Sequence, residues 1–266
     1  MAISIASLRK VRVDQPPRVL IYGPPKMGKT TLASEFPAPV FLQTEQGESG
    51  GLELDSFGHL QTYQEVDEAL ISLFNEEHAF GTLVVDSLSE LEKLIVAEAC
   101  RRNGWKNIEQ PGYGKGYVAA DAIWQEFLTA INMLRTQRGM AVVLIAHASI
   151  ERFDDPQTQS YSRYDIDLHK NVRALMQREV DAILLVKQDV SLIKEKTGFG
   201  AERAIGTGAS RWIYCEGSPA YTAGNRYNMP DKLLFQAGKG FAALAPYFPQ
   251  PAAGDPAPAK QKEEAA

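Results

Sequence analysis

The sequence predicts an α/β fold: a mainly parallel sheet with helices on both faces and a C-terminal β-hairpin extension. Three observations predict it. Short apolar runs recur along the chain, bounded by Gly, Pro or polar turns. Stretches with helical spacing of apolar residues alternate with them. The later part turns instead to short β-like runs separated by turns. Buried parallel strands read as continuous apolar runs because helices cover both faces, and strand–helix alternation is the mark of that architecture.

The elements follow in order. Residues 1–17 read as an N-terminal arm closed by Pro16-Pro17, which continues neither a helix nor a central strand. Residues 18–22 (RVLIY) are the first strand, and residues 28–35 start the first helix. Pro37 and Pro39 break the chain before a second strand at Val40-Phe41-Leu42. Residues 64–77 carry Val66, Leu70, Ile71 and Phe74 at helical spacing. Leu83-Val84-Val85 is a third strand, ending at Asp86, with a helix after it from Leu88 to Cys100. Residues 103–117 are rich in Gly and Asn and read as a loop. Residues 118–135 form a periodic helix, and residues 141–146 a fourth strand. Residues 147–178 are polar; residues 182–186 (AILLV) are a fifth strand. From there to Phe248 the chain alternates turns with β-like runs such as residues 211–215, which extend one sheet edge. The domain is therefore expected over 18–248, with a disordered Pro/Ala-rich tail at 249–266.

Composition narrows the class. The chain has 266 residues, 44% hydrophobic and 23% charged, enough for a large core without a disulfide or metal staple. Cys100 and Cys215 are far apart, which fits a reducing compartment and argues against a zinc site. No stretch approaches the roughly 18 apolar residues of a membrane span, and the N-terminus has the wrong charge order for a secretory signal. A soluble cytoplasmic protein is expected. The net charge of −5 is unlike that of a stand-alone duplex binder.

The chemistry is concentrated in one stretch. Gly23-Pro24-Pro25-Lys26-Met27-Gly28-Lys29-Thr30 fits GxxxxGK[ST] at every fixed position, between a strand and a helix, with Thr31 following. Glycines let backbone N–H groups curl around phosphates, Lys29 reaches the β- and γ-phosphates, and the Thr30 hydroxyl is a Mg²⁺ ligand. The matching acid is Asp86 at the tip of TLVVD, placed to hold Mg²⁺ through water; an Asp86 or Ser87 helix cap is the alternative use of that position. Ser87 stands where helicases commonly carry Glu. The water-activating base is therefore sought at Glu45, just past the second strand on the same sheet edge, with Glu48 as its competitor. His147, after the fourth strand, is placed to sense the γ-phosphate or simply to cap the strand.

With RVLIYGPPKMGKTT, FLQTEQG, TLVVDSLSEL, YGKGY, LIAHASIERFDD, REVDAILLV and RWIYCEGSPAYTAGNRYNMP in this order, the chain resembles the RecA-like P-loop NTPase core over roughly 18–245. More closely, it is similar to phage-encoded AAA-type ATP-binding proteins. Some of these are RecA-like single-strand annealing and recombination proteins. The resemblance implies ATP and Mg²⁺, single-stranded DNA as partner, a homo-oligomer, a single-strand-binding protein as a further partner, and the host cytoplasm as location. It gives Lys29 and Thr30 the Walker A roles, Asp86 the Walker B role, Glu45 the post-strand-two acid and His147 the sensor. The family's late segment reads aromatic, Ala, Lys, any, Arg before a Pro. Here Tyr221-Thr222-Ala223-Gly224-Asn225-Arg226 precedes Pro230, so Arg226 matches and Gly224 replaces the Lys. Arg226 takes the arginine-finger role, with Arg211 the alternative.

RecA-like cores turn two loops toward DNA, which here are 103–117 and 147–178. They interleave aromatics with cations: Trp105, Lys106, Tyr113, Lys115 and Tyr117, then Arg152, Phe153, Tyr161, Arg163, Tyr164, His169, Lys170 and Arg173. From Ala148 to Val180, however, five Lys/Arg face six Asp/Glu, so no basic stripe stands out. Annealing or loading is expected ahead of strand exchange. The rival readings are a nucleotide-binding regulatory module with little turnover and a P-loop small-molecule kinase.

Overall fold

The computed structural model describes residues 15–46, 51–154, 159–189, 191–197, 201–207 and 210–249, with the backbone alone for 191–197 and 201–207. Most of the N-terminal arm, Glu48 and the tail beyond residue 249 lie outside the described residues.

The strands are β1 (Arg18–Gly23), β2 (Pro39–Gln43), β3 (Ser56–His59), β4 (Thr82–Asp86), β5 (Ala141–Phe153), β6 (Tyr161–Ile166), β7 (Ala182–Gln188), β8 (Ser191–Thr197), β9 (Ala201–Thr207), β10 (Arg211–Tyr214), β11 (Gly224–Asn225) and β12 (Lys232–Phe235). The helices are α1 (Lys29–Ser34), α2 (Tyr63–Asn75), α3 (Leu88–Asn103), α4 (Lys115–Gln137), α5 (Lys170–Glu179) and α6 (Gly240–Leu244). The sheet runs β12-β10-β7-β1-β5-β4-β2-β3. It is parallel from β7 to β3, while β10, β11 and β12 join antiparallel at the β7 end. This is the predicted α/β class with its edge extension. Strands β8 and β9 pair with each other in a separate ribbon.

Alternate residues of each central strand feed two cores. Leu20 and Tyr22 of β1 join Leu83, Val85, Leu144 and the α2–α5 side. Val19 and Ile21 join Leu32 and Ala33 of α1 and Leu244 of α6 on the other face. Both faces are covered, so the strands carry no polar alternation. Trp124 and Phe127 of α4 are fully buried and meet edge-to-face at 5.8 Å.

Three local expectations need correction. The loop expected over 103–117 is shorter: α3 runs to Asn103 and α4 starts at Lys115, placing Tyr117 in its first turn. The glycines that looked like loop punctuation have other causes. Gly114 sits at φ 71 as the helix N-cap, and a Cβ on Gly116 would lie 1.9 Å from the Ile108 carbonyl oxygen. The polar stretch 147–178 is not one loop. Strand β5 leaves the sheet after residue 147 and pairs antiparallel with β6, and α5 follows. This ribbon is mostly half-buried and polar, with Ile150 exposed, so it lacks an apolar run. Strand β3 escaped notice because all of its positions are exposed.

Cys215 is buried just past β10, and burial pushes its thiol up to about 12. Cys100 is only partly buried. A thiol reagent applied to the native protein is expected to label Cys100 and spare Cys215 until denaturant is added, read by peptide mass spectrometry. Equal labelling rates in the native state would contradict this packing. No helix among the described residues is long and apolar enough to cross a membrane.

Candidate nucleotide site

The loop between β1 and α1 is shaped by its neighbours. Gly23 ends β1 in register with His147 of β5. A Cβ there would lie 2.1 Å from the Val186 carbonyl oxygen, so only glycine fits against β7. Gly28 sits at φ 94, a left-handed conformation, immediately before α1. Pro25 and Lys26 form the exposed tip, while Pro24, Met27, Thr30 and Thr31 are half-buried.

Lys29 is buried beneath the loop, and its Nζ donates to the carbonyls of Gly23 (2.9 Å) and Pro24 (3.1 Å). Burial pushes its ammonium below the usual range, while the Asp86 and Glu45 carboxylates pull it back up. The Thr30 hydroxyl donates to Asp86 Oδ2 at 2.7 Å. Burial raises the Asp86 carboxyl above the usual range, and the Thr30 bond opposes that.

Glu45 stands on the same edge because the chain beyond β2 is tied to the end of β4. Thr44 N–H donates to the Asp86 carbonyl at 2.9 Å. The Thr44 hydroxyl donates to the Ser87 carbonyl (2.7 Å) and accepts from Ser87 N–H (3.0 Å). Glu45 Oε2 then takes two contacts, from Ser87 Oγ at 3.1 Å and from His147 Nε2 at 2.9 Å. The carboxylate is thus held from one side, and both contacts fall on a single oxygen. His147 is itself fixed: its N–H donates to Ser89 Oγ (3.2 Å), which donates to the Asp167 carbonyl (2.9 Å).

The structure therefore brings Lys29, Thr30, Asp86, Glu45 and His147 to one sheet edge. It does not bring Arg226 there. Arg226 follows β11, and its N–H donates to the Asp181 carbonyl just before β7, at the opposite edge. Its guanidinium pairs with the Asp181 carboxylate at 3.2 Å, as do those of Arg18 (3.3 Å) and Arg135 (3.2 Å). Arg211, the alternative, lies beside the loop on the β10 side. Sequence reasoning missed Thr44, Ser87 and Ser89 as the groups that orient Glu45 and His147. Their signal was thin: a hydroxyl before Glu45 in QTE and two more in DSLS.

The donor set fits a metal-bound nucleoside phosphate. Lys29 now satisfies two carbonyls that a phosphate oxygen would replace as its partner. Thr30 and Asp86 present converging oxygens, the kind of sparse protein set that Mg²⁺ uses when phosphates and water complete its shell.

A family model described as an AAA domain matches residues 15–227. No curated protein matches the chain.

Proposed function

We propose that this chain, which belongs to the AAA domain family, binds ATP with Mg²⁺ and hydrolyses it in work on single-stranded DNA. A nucleotide-binding and nucleotide-hydrolysing class is what the family supplies. The observation that carries the ATP-hydrolysis part of the reading is the meeting of Lys29, Thr30, Asp86 and a positioned Glu45 at one edge.

In this reading the loop amides and Lys29 hold the β- and γ-phosphates. Thr30 and Asp86 hold the metal, which neutralises charge on the phosphate oxygens when bound. Glu45 accepts the proton of the attacking water through Oε1, because Oε2 is occupied by Ser87 and His147. His147 then links the reacting end to β5 and, through Ser89, to Asp167 at the start of the α5 region.

Support for the DNA part comes from a groove of about 950 Å³ beside that linkage, lined by Trp105, Lys106, Arg101, Tyr117, His169 and Asp167 among others. Tyr117 and His169 stack at 4.5 Å, and Tyr113 is fully exposed nearby in sequence. Aromatic faces suit unpaired bases, and cations suit their backbone. Both carboxylate oxygens of Glu92 accept from His169 N–H, tying the groove wall to α3, the helix that starts beside Asp86. We further propose a role in recombination or annealing, a homo-oligomeric working form, and a single-strand-binding protein as a further partner.

The test is steady-state ATP hydrolysis with and without single-stranded DNA, beside direct DNA binding at low salt. Stimulation by DNA is expected. Absence of DNA binding, with or without ATP, would sink the DNA reading while leaving the ATPase reading standing.

A further inference from the structure

A nucleotide on this sheet edge would have distinguishable ends. Thr30, Asp86, Glu45 and His147 define the metal and terminal-phosphate end, on the β5–β4 side of β1. The rest of the ligand must leave the loop elsewhere. On the other side of β1 stand β7, then antiparallel β10 and β12.

Gly28 faces that second side. A Cβ built on it would meet Phe235 Cε1 at 2.8 Å and Arg211 Nη1 at 3.4 Å. Phe235 is buried and packs between the loop and α6, since a Cβ on Gly240 would also touch its ring at 2.8 Å. It forms an apolar floor. Arg211 opens β10, in register with Gln188 on one side and Phe235 on the other, so the sheet fixes where its side chain starts. The side chain is exposed, and among the described residues no carboxylate lies within ion-pair distance of it. An unpaired guanidinium against a phosphate-binding loop is placed for an anionic ligand, which it can grip with two parallel N–H donors.

We propose that Arg211 binds the nucleotide in cis, at the α-phosphate and sugar side of the loop, rather than reaching the terminal phosphate of a neighbouring subunit. The ligand class is a nucleoside di- or triphosphate. This rests on the nucleotide-binding reading above, and adds to it a residue outside the GxxxxGK[ST] motif that grips parts common to both ligands.

The test is titration of fluorescent ADP and fluorescent ATP into the wild type, Arg211→Ala and Arg211→Lys. Loss of one charge-assisted contact is expected to weaken both nucleotides by a similar factor, about 10- to 100-fold for Arg211→Ala, with partial recovery in Arg211→Lys. An unchanged ADP affinity in Arg211→Ala overturns the proposal. So does a loss confined to ATP, which would put the guanidinium at the terminal phosphate, or a loss of turnover with both affinities intact, which would make it a finger acting in trans. Failure of the underlying reading looks different: the wild type would then bind neither nucleotide.

Discussion

Lys29→Met is expected to lose nucleotide binding without losing the fold. Methionine keeps the apolar stem in its buried slot and removes only the ammonium. Removing one partner of a desolvated charge pair costs about 2–5 kcal/mol, so affinity for Mg-ATP falls by at least about 30-fold. The unliganded protein behaves in the opposite sense. Burial depresses the Lys29 pKa, so holding the charged form there opposes folding at every pH below its usual range. The two carbonyl contacts to Gly23 and Pro24 offset part of that cost. The melting temperature of the unliganded variant should therefore hold or rise, as at other sites where function is kept at the expense of stability. In the wild type, nucleotide at 100 times its Kd adds about 2.7 kcal/mol of stability, and at the same concentration this shift should fall to about 0.9 kcal/mol or less in the variant. Thermal melts with and without Mg-ATP measure both effects. A variant that melts lower without ligand yet keeps the ligand shift would show that Lys29 is structural.

Glu45→Gln is expected to separate binding from chemistry. Glutamine matches the shape of glutamate, and its amide can still meet Ser87 and His147, so the geometry around Oε2 survives. What it cannot do is take a proton. General-base assistance is worth roughly 10²- to 10⁴-fold, so turnover should fall by that order while ATP affinity stays within about threefold of wild type. Single-turnover hydrolysis beside equilibrium titration makes the comparison. If affinity falls and turnover of bound ATP does not, Glu45 is a binding group and the base must be sought elsewhere. The rival reading of a regulatory module with little turnover predicts a third pattern: slow hydrolysis in the wild type that Glu45→Gln leaves unchanged.

The sequence alone determined the architecture of the parallel part and carried the GxxxxGK[ST] pattern of the candidate phosphate loop. Buried strands such as LIY and LVV must be apolar throughout. A loop that wraps phosphates must place Gly, Lys and Thr at fixed spacing, so both leave local patterns that no tertiary context can disguise. Glu45 and His147 were legible as residues just past strand ends, because parallel strands put all such ends on one edge. Their contact was not. The 2.9 Å approach of His147 to Glu45 depends on β5 being two strands from β2, with β4 between, and on the Thr44–Ser87 tie, none of which a linear pattern encodes. The β5–β6 ribbon was illegible for a related reason: its positions are mostly half-buried rather than core, so it needs no apolar run. The two arginines show the division most plainly. The sequence put Arg226 first, by its match to the family's late segment, and Arg211 second as the alternative. Only the antiparallel entry of β10 and β11 along opposite ends of β7 decided that one is held by Asp181 at the far edge and the other stands against Gly28. Strand order and direction are set by packing summed over the whole sheet, and that sum exists only in the folded chain.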